Sequence, residues 1–224
     1  MTKKIQIAID GPAAAGKSTI AKQTAELLGY TYVDTGAMYR AITYKAIRLN
    51  IDLQDGEKLT NLLHDTAIEL KPSPKGQLVF LDNVEVTEEI RSKEVTSSVS
   101  AVSAHADLRE EMVKRQVNMG KDGGIVMDGR DIGTHVLTNA ELKVFMSASV
   151  EERAKRRYLE NQKRGIHTSL EELIEEIALR DKLDSEREAS PLTQAEDAIY
   201  IDTTSLSIEE VSEQIMQLAK ERMV

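Results

Sequence analysis

Apolar and polar positions along the chain follow two alternating patterns, short apolar runs and longer stretches with helical spacing. The apolar runs predict five buried strands: Ile5 to Asp10, Tyr30 to Val33, Gly124 to Met127, Leu142 to Met146 and Ala198 to Ile201. Helical spacing is clearest near the end, where Ile208, Val211, Ile215 and Leu218 form a predicted core-facing stripe. Strands that alternate with helices predict an α/β fold with a mainly parallel sheet.

Three sequences predict helix N-termini. Ser149 and Glu152, Thr168 and Glu171, and Ser207 and Glu210 each have the spacing of a capping box. In that arrangement, the two side chains bond to each other's free backbone amides. We therefore expect helices to begin at these three places.

Residues 66–86 interrupt the alternation. Short β-type runs are divided there by two turn-forming sequences, Lys71-Pro72-Ser73-Pro74-Lys75-Gly76 and Asp82-Asn83. This pattern predicts a small antiparallel insert outside the parallel sheet. Residues 151–188 differ again, because they are dense in charge and have a helical pattern.

Composition narrows the class of protein. The 224 residues are 41% hydrophobic and 30% charged, with a net charge of −9, which is typical of a globular chain with one core and small inserted lobes. The acidic balance and the low aromatic content of 4% argue against nucleic-acid binding. The absence of Cys excludes disulfides and zinc–thiolate sites. No apolar run reaches the roughly 20 residues that span a bilayer, and the first run is too short for a secretion signal. We therefore expect a cytoplasmic protein that binds no membrane.

The sequence GPAAAGKST, residues 11–19, follows the first predicted strand and has the Walker A spacing. The predicted phosphate-binding residues are Gly11, Pro12, Ala13, Ala14, Ala15, Gly16, Lys17, Ser18 and Thr19. Inward-pointing amides and the N-terminus of the next helix attract an anion. Lys17 is expected to reach the β- and γ-phosphates, and Ser18 to ligate Mg²⁺ directly. A flexible turn is the alternative interpretation, but the preceding strand and the helical pattern that ends at Gly29 favour a nucleoside triphosphate site.

Three further stretches suggest a second anion site. DTGAMYRA, residues 34–41, and DGRDIG, residues 128–133, follow the second and third predicted strands, and ligands bind at such strand ends. The third stretch is the charge-dense region. Arg153, Arg157 and Arg164 lie near one helix face with Arg156 beside them, and Arg180, Asp184 and Arg187 share another. A solvated helix face is the alternative interpretation of Arg153 to Arg164.

Together with Arg180 to Arg187 and the SPL sequence at residues 190–192, these motifs resemble the bacterial cytidylate kinase family from about Ile5 to the last helix. The resemblance implies a P-loop nucleoside-monophosphate-kinase fold, with a central five-stranded parallel sheet flanked by helices, a small antiparallel β insert and a helical lid. It implies an ATP-binding core of residues 1–36, 104–150 and 189–224. The monophosphate-binding domain would be residues 37–103, and the lid residues 151–188. The loop departs mildly from its relatives, which often carry Ser or Gly among residues 12–15.

The resemblance also implies roles for individual residues. Catalytic residues would be Lys17, Arg130, Arg157 and Arg180. Thr35, Arg40 and Arg130 would bind the acceptor phosphate, and Arg180 and Asp184 would lie near the sugar and phosphate. Ser100, Arg109, Asp131 and Arg187 would read cytosine. Asp128 is a candidate to support Mg²⁺ through water, and a turn or cap aspartate is an equally good interpretation.

The implied reaction transfers the γ-phosphoryl group of ATP, with Mg²⁺, to CMP or dCMP. The expected partners are these small molecules, and the enzyme is expected to be a monomer. An ionised Asp131 would accept a hydrogen bond from the cytosine amino group and repel the uracil oxygen. A salt bridge to Arg130 or Arg187, or a helix cap, is the alternative role of Asp131. A kinase for UMP or another monophosphate, and a P-loop ATPase that acts on a partner protein, remain alternative functions. The chain has no Asn-Lys-x-Asp element, which a switch GTPase would need.

Overall fold

The structure, a computed structural model, describes residues 3–74, 76–163 and 165–223. Lys75 of the predicted turn and Arg164 of the predicted charged face lie outside the described residues. The strands are β1 (Gln6–Asp10), β2 (Thr31–Asp34), β3 (Ile68–Ser73), β4 (Gly76–Leu81), β5 (Val84–Glu85), β6 (Ile125–Gly129), β7 (Leu142–Ser147) and β8 (Ile199–Asp202). The helices are α1 (Lys17–Leu28), α2 (Thr35–Arg48), α3 (Gly56–His64), α4 (Lys93–Ser103), α5 (Ala106–Gly120), α6 (Val150–Lys163), α7 (Leu170–Glu186) and α8 (Ile208–Arg222). A 3₁₀ turn spans Glu89–Arg91, and a π-helical turn spans Ile132–Val136.

The central sheet has five parallel strands in the order β2-β6-β1-β7-β8. All five predicted strands are present, and their ends differ from the prediction by at most two residues. β1 lies in the middle, where Ile7 and Ile9 are fully buried and pack with Ile20 of α1 and Ile215 of α8. The predicted α/β fold with a parallel sheet flanked by helices is therefore confirmed.

The predicted antiparallel insert is also confirmed, as a three-stranded sheet in the order β3-β4-β5. Its apolar face is buried with α2 in a second core, which includes Val79, Leu81 and Met38. One side chain connects the insert to the central sheet. The Gln77 amide accepts a hydrogen bond from the Asp34 N–H at 3.1 Å and donates one to the Tyr32 carbonyl at 2.5 Å. The insert therefore packs against the carboxyl end of β2.

The predicted helix starts are correct at two places and wrong at the third. Ser207 and Glu210 form the complete capping box, and the Ser149 hydroxyl accepts from the Glu152 N–H at 3.2 Å. The predicted box at Thr168 and Glu171 is displaced by one residue, because α7 is capped by Ser169 and Glu172. Both pairs fit the sequence pattern, and the helix begins one residue later than predicted, with Leu173 and Ile177 buried against α6.

In the last helix, Val211 and Ile215 are buried as predicted, and Leu218 packs against the same core. Ile208, in contrast, is 47% exposed. It is the first residue of α8 and precedes the buried residues of the helix, which begin at Val211. None of the helices in the described part of the chain combines the length and apolar character that a bilayer-crossing segment needs.

Candidate active site

The site forms where β1, β2 and β6 end side by side. Register pairs Asp10 with Gly129, and Asp34 with Asp128. The strand order changes direction at this point, because the chain leaves β1 for the edge strand β2 and returns to β6 between them. Such a switch point opens a crevice at the carboxyl end of a parallel sheet. Both strand-end motifs found in the sequence therefore face the phosphate loop.

The loop between β1 and α1 curls because several residues adopt left-handed backbone angles. Gly11 has φ 145° and Gly16 has φ 90°, and a Cβ at Gly11 would overlap the Met146 carbonyl. Ala14 has φ 60°, which is unfavourable for a residue with a Cβ. A residue with left-handed angles between residues with right-handed ones turns the neighbouring amides to one concave side, where an anion binds. The structure thus has the strand–loop–helix context that the motif requires.

Lys17 folds back over its own loop. Its ammonium donates to the Pro12 carbonyl at 2.7 Å, and the residue is 5% exposed. Burial, together with the positive charge of Arg130, lowers the pKa of Lys17 to about 7. A bound polyphosphate would restore the charged form, because an anion favours the ammonium.

Ser18, Tyr32 and Asp128 form a polar cluster beneath the loop. The hydroxyls of Ser18 and Tyr32 each donate to one oxygen of the Asp128 carboxylate, both at 2.8 Å. Burial and the neighbouring charge of Asp34 raise the pKa of Asp128. The described residues contain no cluster of three or more His, Cys, Asp or Glu that would enclose a metal. One hydroxyl beside one carboxylate fits Mg²⁺, which keeps several waters and takes few protein ligands.

A cleft of about 150 Å³ lies between the loop and α2, α4, α5 and α7. All the predicted substrate-binding residues line it: Thr35, Arg40, Ser100, Arg109, Arg130, Asp131, Arg180, Asp184 and Arg187. Lys17, Ser18, Asp128 and Arg157 line the same cleft. The structure therefore brings together side chains that are up to 170 positions apart in the chain, from Lys17 to Arg187.

Positive charge dominates this cleft, and carboxylates hold it in place. Asp34 accepts from Arg40 at 2.9 Å, and Asp184 accepts from Arg130 Nε at 2.8 Å. Burial and the charge of Arg130 lower the pKa of Arg180 to about 10. Among the described residues, four buried arginine nitrogens in the cleft have no hydrogen-bond partner: Arg40 Nε, Arg109 Nε, Arg180 Nε and Arg187 Nη2. Buried N–H donors without partners are costly, so these groups favour an anionic or polar ligand.

Asp131 pairs with Arg109, a partner that differs from both arginines suggested by the sequence. Arg109 Nη2 donates to Asp131 Oδ2 at 2.5 Å, and Arg109 Nη1 donates to the Ser103 carbonyl at 3.0 Å. Within the described residues, the salt bridge of Asp131 is to Arg109 and not to Arg130 or Arg187. The Arg109 guanidinium also lies 5.1 Å from the ring centre of Tyr39.

The hydroxyl of Thr35 points to the backbone. It donates to the Asp128 carbonyl at 2.7 Å and so connects the ends of β2 and β6. Two residues were missed in the sequence, one that lines the cleft and one that supports it. Tyr39, whose buried hydroxyl has no partner, precedes Arg40 in the DTGAMYRA motif. Asp10 accepts from the N–H groups of Ile132 and Gly133 at 2.8 and 2.7 Å, and its position directly before the loop was the available signal.

The arginines of α6 have three different environments. Arg153 is 3% exposed and bonds to Ala13, Ala148 and Asp181, so the interpretation as a solvated face is wrong for this residue. Arg156 donates to the carbonyl and hydroxyl of Thr203. Arg157 is half-buried and lines both the cleft described above and a larger one of about 690 Å³ on the outer side of the loop.

Comparisons with known proteins agree with this geometry. The family model described as cytidylate kinase matches residues 7–221. A cytidylate kinase of Lysinibacillus sphaericus (strain C3-41) is 66% identical over 224 residues, which cover 100% of both chains. A cytidylate kinase of Bacillus subtilis (strain 168) is 62% identical and covers 99% of both chains. A crystal structure of an uncharacterized protein from Eubacterium ventriosum ATCC 27560 has a similar fold, with a TM-score of 0.51, 14% identity and coverage of 98% of this chain and 99% of that one.

Proposed function

This chain belongs to the cytidylate kinase family, and we propose on that basis that it transfers the γ-phosphoryl group of ATP to CMP or dCMP. The products are ADP and CDP or dCDP. The observation that carries the proposal is the junction of the phosphate loop with a cleft in which four buried arginine nitrogens lack partners. A donor phosphate and an acceptor phosphate could meet there.

The acceptor needs little chemical activation. The second pKa of a phosphate monoester is about 6, so CMP is mostly a dianion at neutral pH and needs no general base. The enzyme must instead hold two polyanions in line and stabilise the phosphoryl group as it moves. Lys17, Arg130, Arg157 and Arg180 supply positive charge for that purpose, and Arg40 with Thr35 would receive the acceptor phosphate.

Mg²⁺ is part of the proposal, with the Ser18 hydroxyl as its ligand and Asp128 as a support through water. When bound, it would neutralise charge on the phosphates. The hydrogen bond of 2.8 Å between Ser18 and Asp128 supports this assignment, because it holds the hydroxyl oxygen beside a carboxylate at the foot of the loop.

Cytosine would be read by Asp131, Arg109, Ser100 and Arg187. The Asp131 carboxylate accepts hydrogen bonds only, so it suits the cytosine amino group and disfavours the uracil oxygen. The ion pair with the Arg109 guanidinium orients that carboxylate. The proposed substrates are small molecules, and we propose that the protein acts on them as a monomer in the cytoplasm.

An acceptor panel tests the proposal. Purified protein is mixed with ATP and Mg²⁺, and ADP formation is measured with CMP, dCMP, UMP, AMP or no acceptor. We expect turnover with CMP and dCMP that exceeds the turnover with UMP. A preference for UMP would indicate a kinase with a different acceptor, and hydrolysis that needs no acceptor would indicate an ATPase module.

A further inference from the structure

The side chain of Arg153 joins three segments of the chain. Its Nε donates to the carbonyl of Ala148, two residues before α6, at 2.9 Å. Its Nη1 donates to the Ala13 carbonyl of the phosphate loop at 3.1 Å. Both Nη1 and Nη2 donate to the carboxylate of Asp181 in α7, at 3.0 and 2.5 Å. A planar guanidinium is suited to such a junction, because its five N–H groups point in fixed directions.

The contact with Ala13 affects the direction of a loop amide. A peptide group is planar and trans, so its C=O and N–H point to opposite sides. Because the Ala13 carbonyl bonds to Arg153, the Ala14 N–H on the same peptide plane points away from Arg153. Ala14 has φ 60°, the left-handed conformation with which consecutive amides form an anion-binding concavity. A carbonyl turned into that concavity would repel a phosphate.

The contact with Asp181 constrains α7, the helix that carries Arg180. Asp181 directly follows Arg180 in α7, and Asp184 lies one turn further on. The two-point bond to Arg153 limits rotation of α7 about its axis. Arg180 and Asp184 both line the cleft of about 150 Å³, so their directions depend on this rotation.

We propose that Arg153 is a positioning residue that couples the donor phosphate loop to α7, so that the loop amides and Arg180 are aligned at the same time. The proposal rests on the proposed function, since it assigns the loop to the donor. Arg153 itself contacts backbone and Asp181 and does not line the cleft. It therefore acts through Ala14 and Arg180.

Two variants separate the two contacts. Arg153→Lys keeps the positive charge, but an ammonium on a shorter side chain cannot keep all three segments together. We expect the dissociation constant of ADP to rise about tenfold and kcat to fall about tenfold, the size of one lost charged hydrogen bond. Asp181→Asn removes part of the bond to α7 and leaves the Ala13 contact. We expect kcat to fall about tenfold while ADP affinity stays within about threefold.

The matched control is Arg115→Lys. Arg115 also donates to two backbone carbonyls, those of Leu63 and Thr66, and to the Glu111 carboxylate, but it lies outside the cleft. ADP binding is measured by calorimetry without acceptor, kcat is measured with CMP, and folding is followed by melting temperature. We expect Arg115→Lys to lower the melting temperature without changing ADP affinity or kcat.

Unchanged ADP affinity and kcat in a folded Arg153→Lys protein would overturn the proposal, as would an equal kinetic change in Arg115→Lys. If Arg153→Lys does not fold, Asp181→Asn decides: a lower kcat with retained ADP affinity supports the coupling, and an unchanged kcat contradicts it. Failure of the proposed function is distinguishable, because wild-type protein would then lack CMP-dependent turnover while ADP binding by the loop remained measurable.

Discussion

Arg109 and Asp131 form a buried ion pair whose Nη2 and Oδ2 atoms are 2.5 Å apart and whose side chains are 3% and 5% exposed. The pair connects α5 to the loop after β6, and it fixes the carboxylate that we propose reads the base. A buried charge without its partner is strongly destabilising, so replacing either residue alone should weaken the fold.

Asp131→Asn is predicted to change both selectivity and stability. The Asn amide can present its NH₂ to the uracil oxygen, so kcat/KM for CMP should fall and the CMP-to-UMP preference should narrow by roughly ten- to a hundred-fold. Stability should fall by up to about 3–5 kcal/mol, since Arg109 loses its charged partner. The measurements are kcat/KM for both acceptors, the KM for ATP as an internal control, and urea unfolding. An equal loss for both acceptors would show that Asp131 does not read the base.

Lys17→Ala is predicted to lower kcat by about 10²–10³. The ammonium would stabilise the charge that grows at the β–γ bridge of ATP, and alanine leaves that charge without a partner. The melting temperature should change little, because the Lys17 ammonium bonds to a loop carbonyl rather than to the core. Near wild-type turnover in a folded variant would exclude this role.

Binding of ADP is predicted to take up a proton at pH 8. The pKa of Lys17 is lowered to about 7 by burial and by the charge of Arg130, so the side chain is largely neutral at pH 8, and bound phosphates favour its charged form. The affinity contributed by Lys17 is therefore present below pH 7 and weakens as the pH rises above it. Calorimetry at pH 8 in two buffers with different ionisation enthalpies measures the uptake. Lys17→Met should abolish it, and a wild-type enthalpy that is independent of the buffer would contradict the prediction.

Arg157→Ala is predicted to reduce kcat at least about tenfold while the free energy of unfolding stays within about 0.5 kcal/mol. Arg157 lines both clefts, and the ion pair that it forms within the described part of the chain is a long one, 3.8 Å to Glu160 of its own helix, so little folding energy depends on it. Lys155→Ala is the matched control, because Lys155 is exposed on the same helix. The interpretation as a solvated face predicts equal kinetics for the two variants.

Ala14→Gly is predicted to raise the free energy of unfolding by up to about 1 kcal/mol. Glycine adopts the φ of 60° without the left-handed penalty of about 1–2 kcal/mol, which exceeds the entropy that it adds to the unfolded chain. The neighbouring Ala15 is buried and has no positive φ, so Ala15→Gly should instead lower stability by about 0.4–1 kcal/mol. Urea unfolding of both variants provides the comparison, and an equal loss in the two would contradict it.

The sequence by itself determined the features that depend on near neighbours in the chain. The five strands, the insert at residues 66–86 and the phosphate loop are encoded by apolar periodicity, turn residues and the spacing of Gly11, Gly16 and Lys17. The motifs after β2 and β6 also predicted that residues 34–41 and 128–133 lie at the cleft, because parallel strands end at one edge of the sheet. The other cleft residues were predicted from the resemblance to the family. The sequence did not distinguish between two neighbouring capping patterns, since α7 is capped by Ser169 and not by the predicted Thr168.

Only the tertiary structure decided which distant groups the charged and polar side chains bond to. Asp131 bonds to Arg109, 22 positions away, and Arg153 bonds to Ala13, 140 positions away. The amide of Gln77 bonds to the backbone of β2 across 43 and 45 positions. The sequence gives the charged residues but not the distances between them. The strength of an ion pair depends on the separation of the two charges and on their burial. Both are set only when α5, α6 and the insert pack around the sheet.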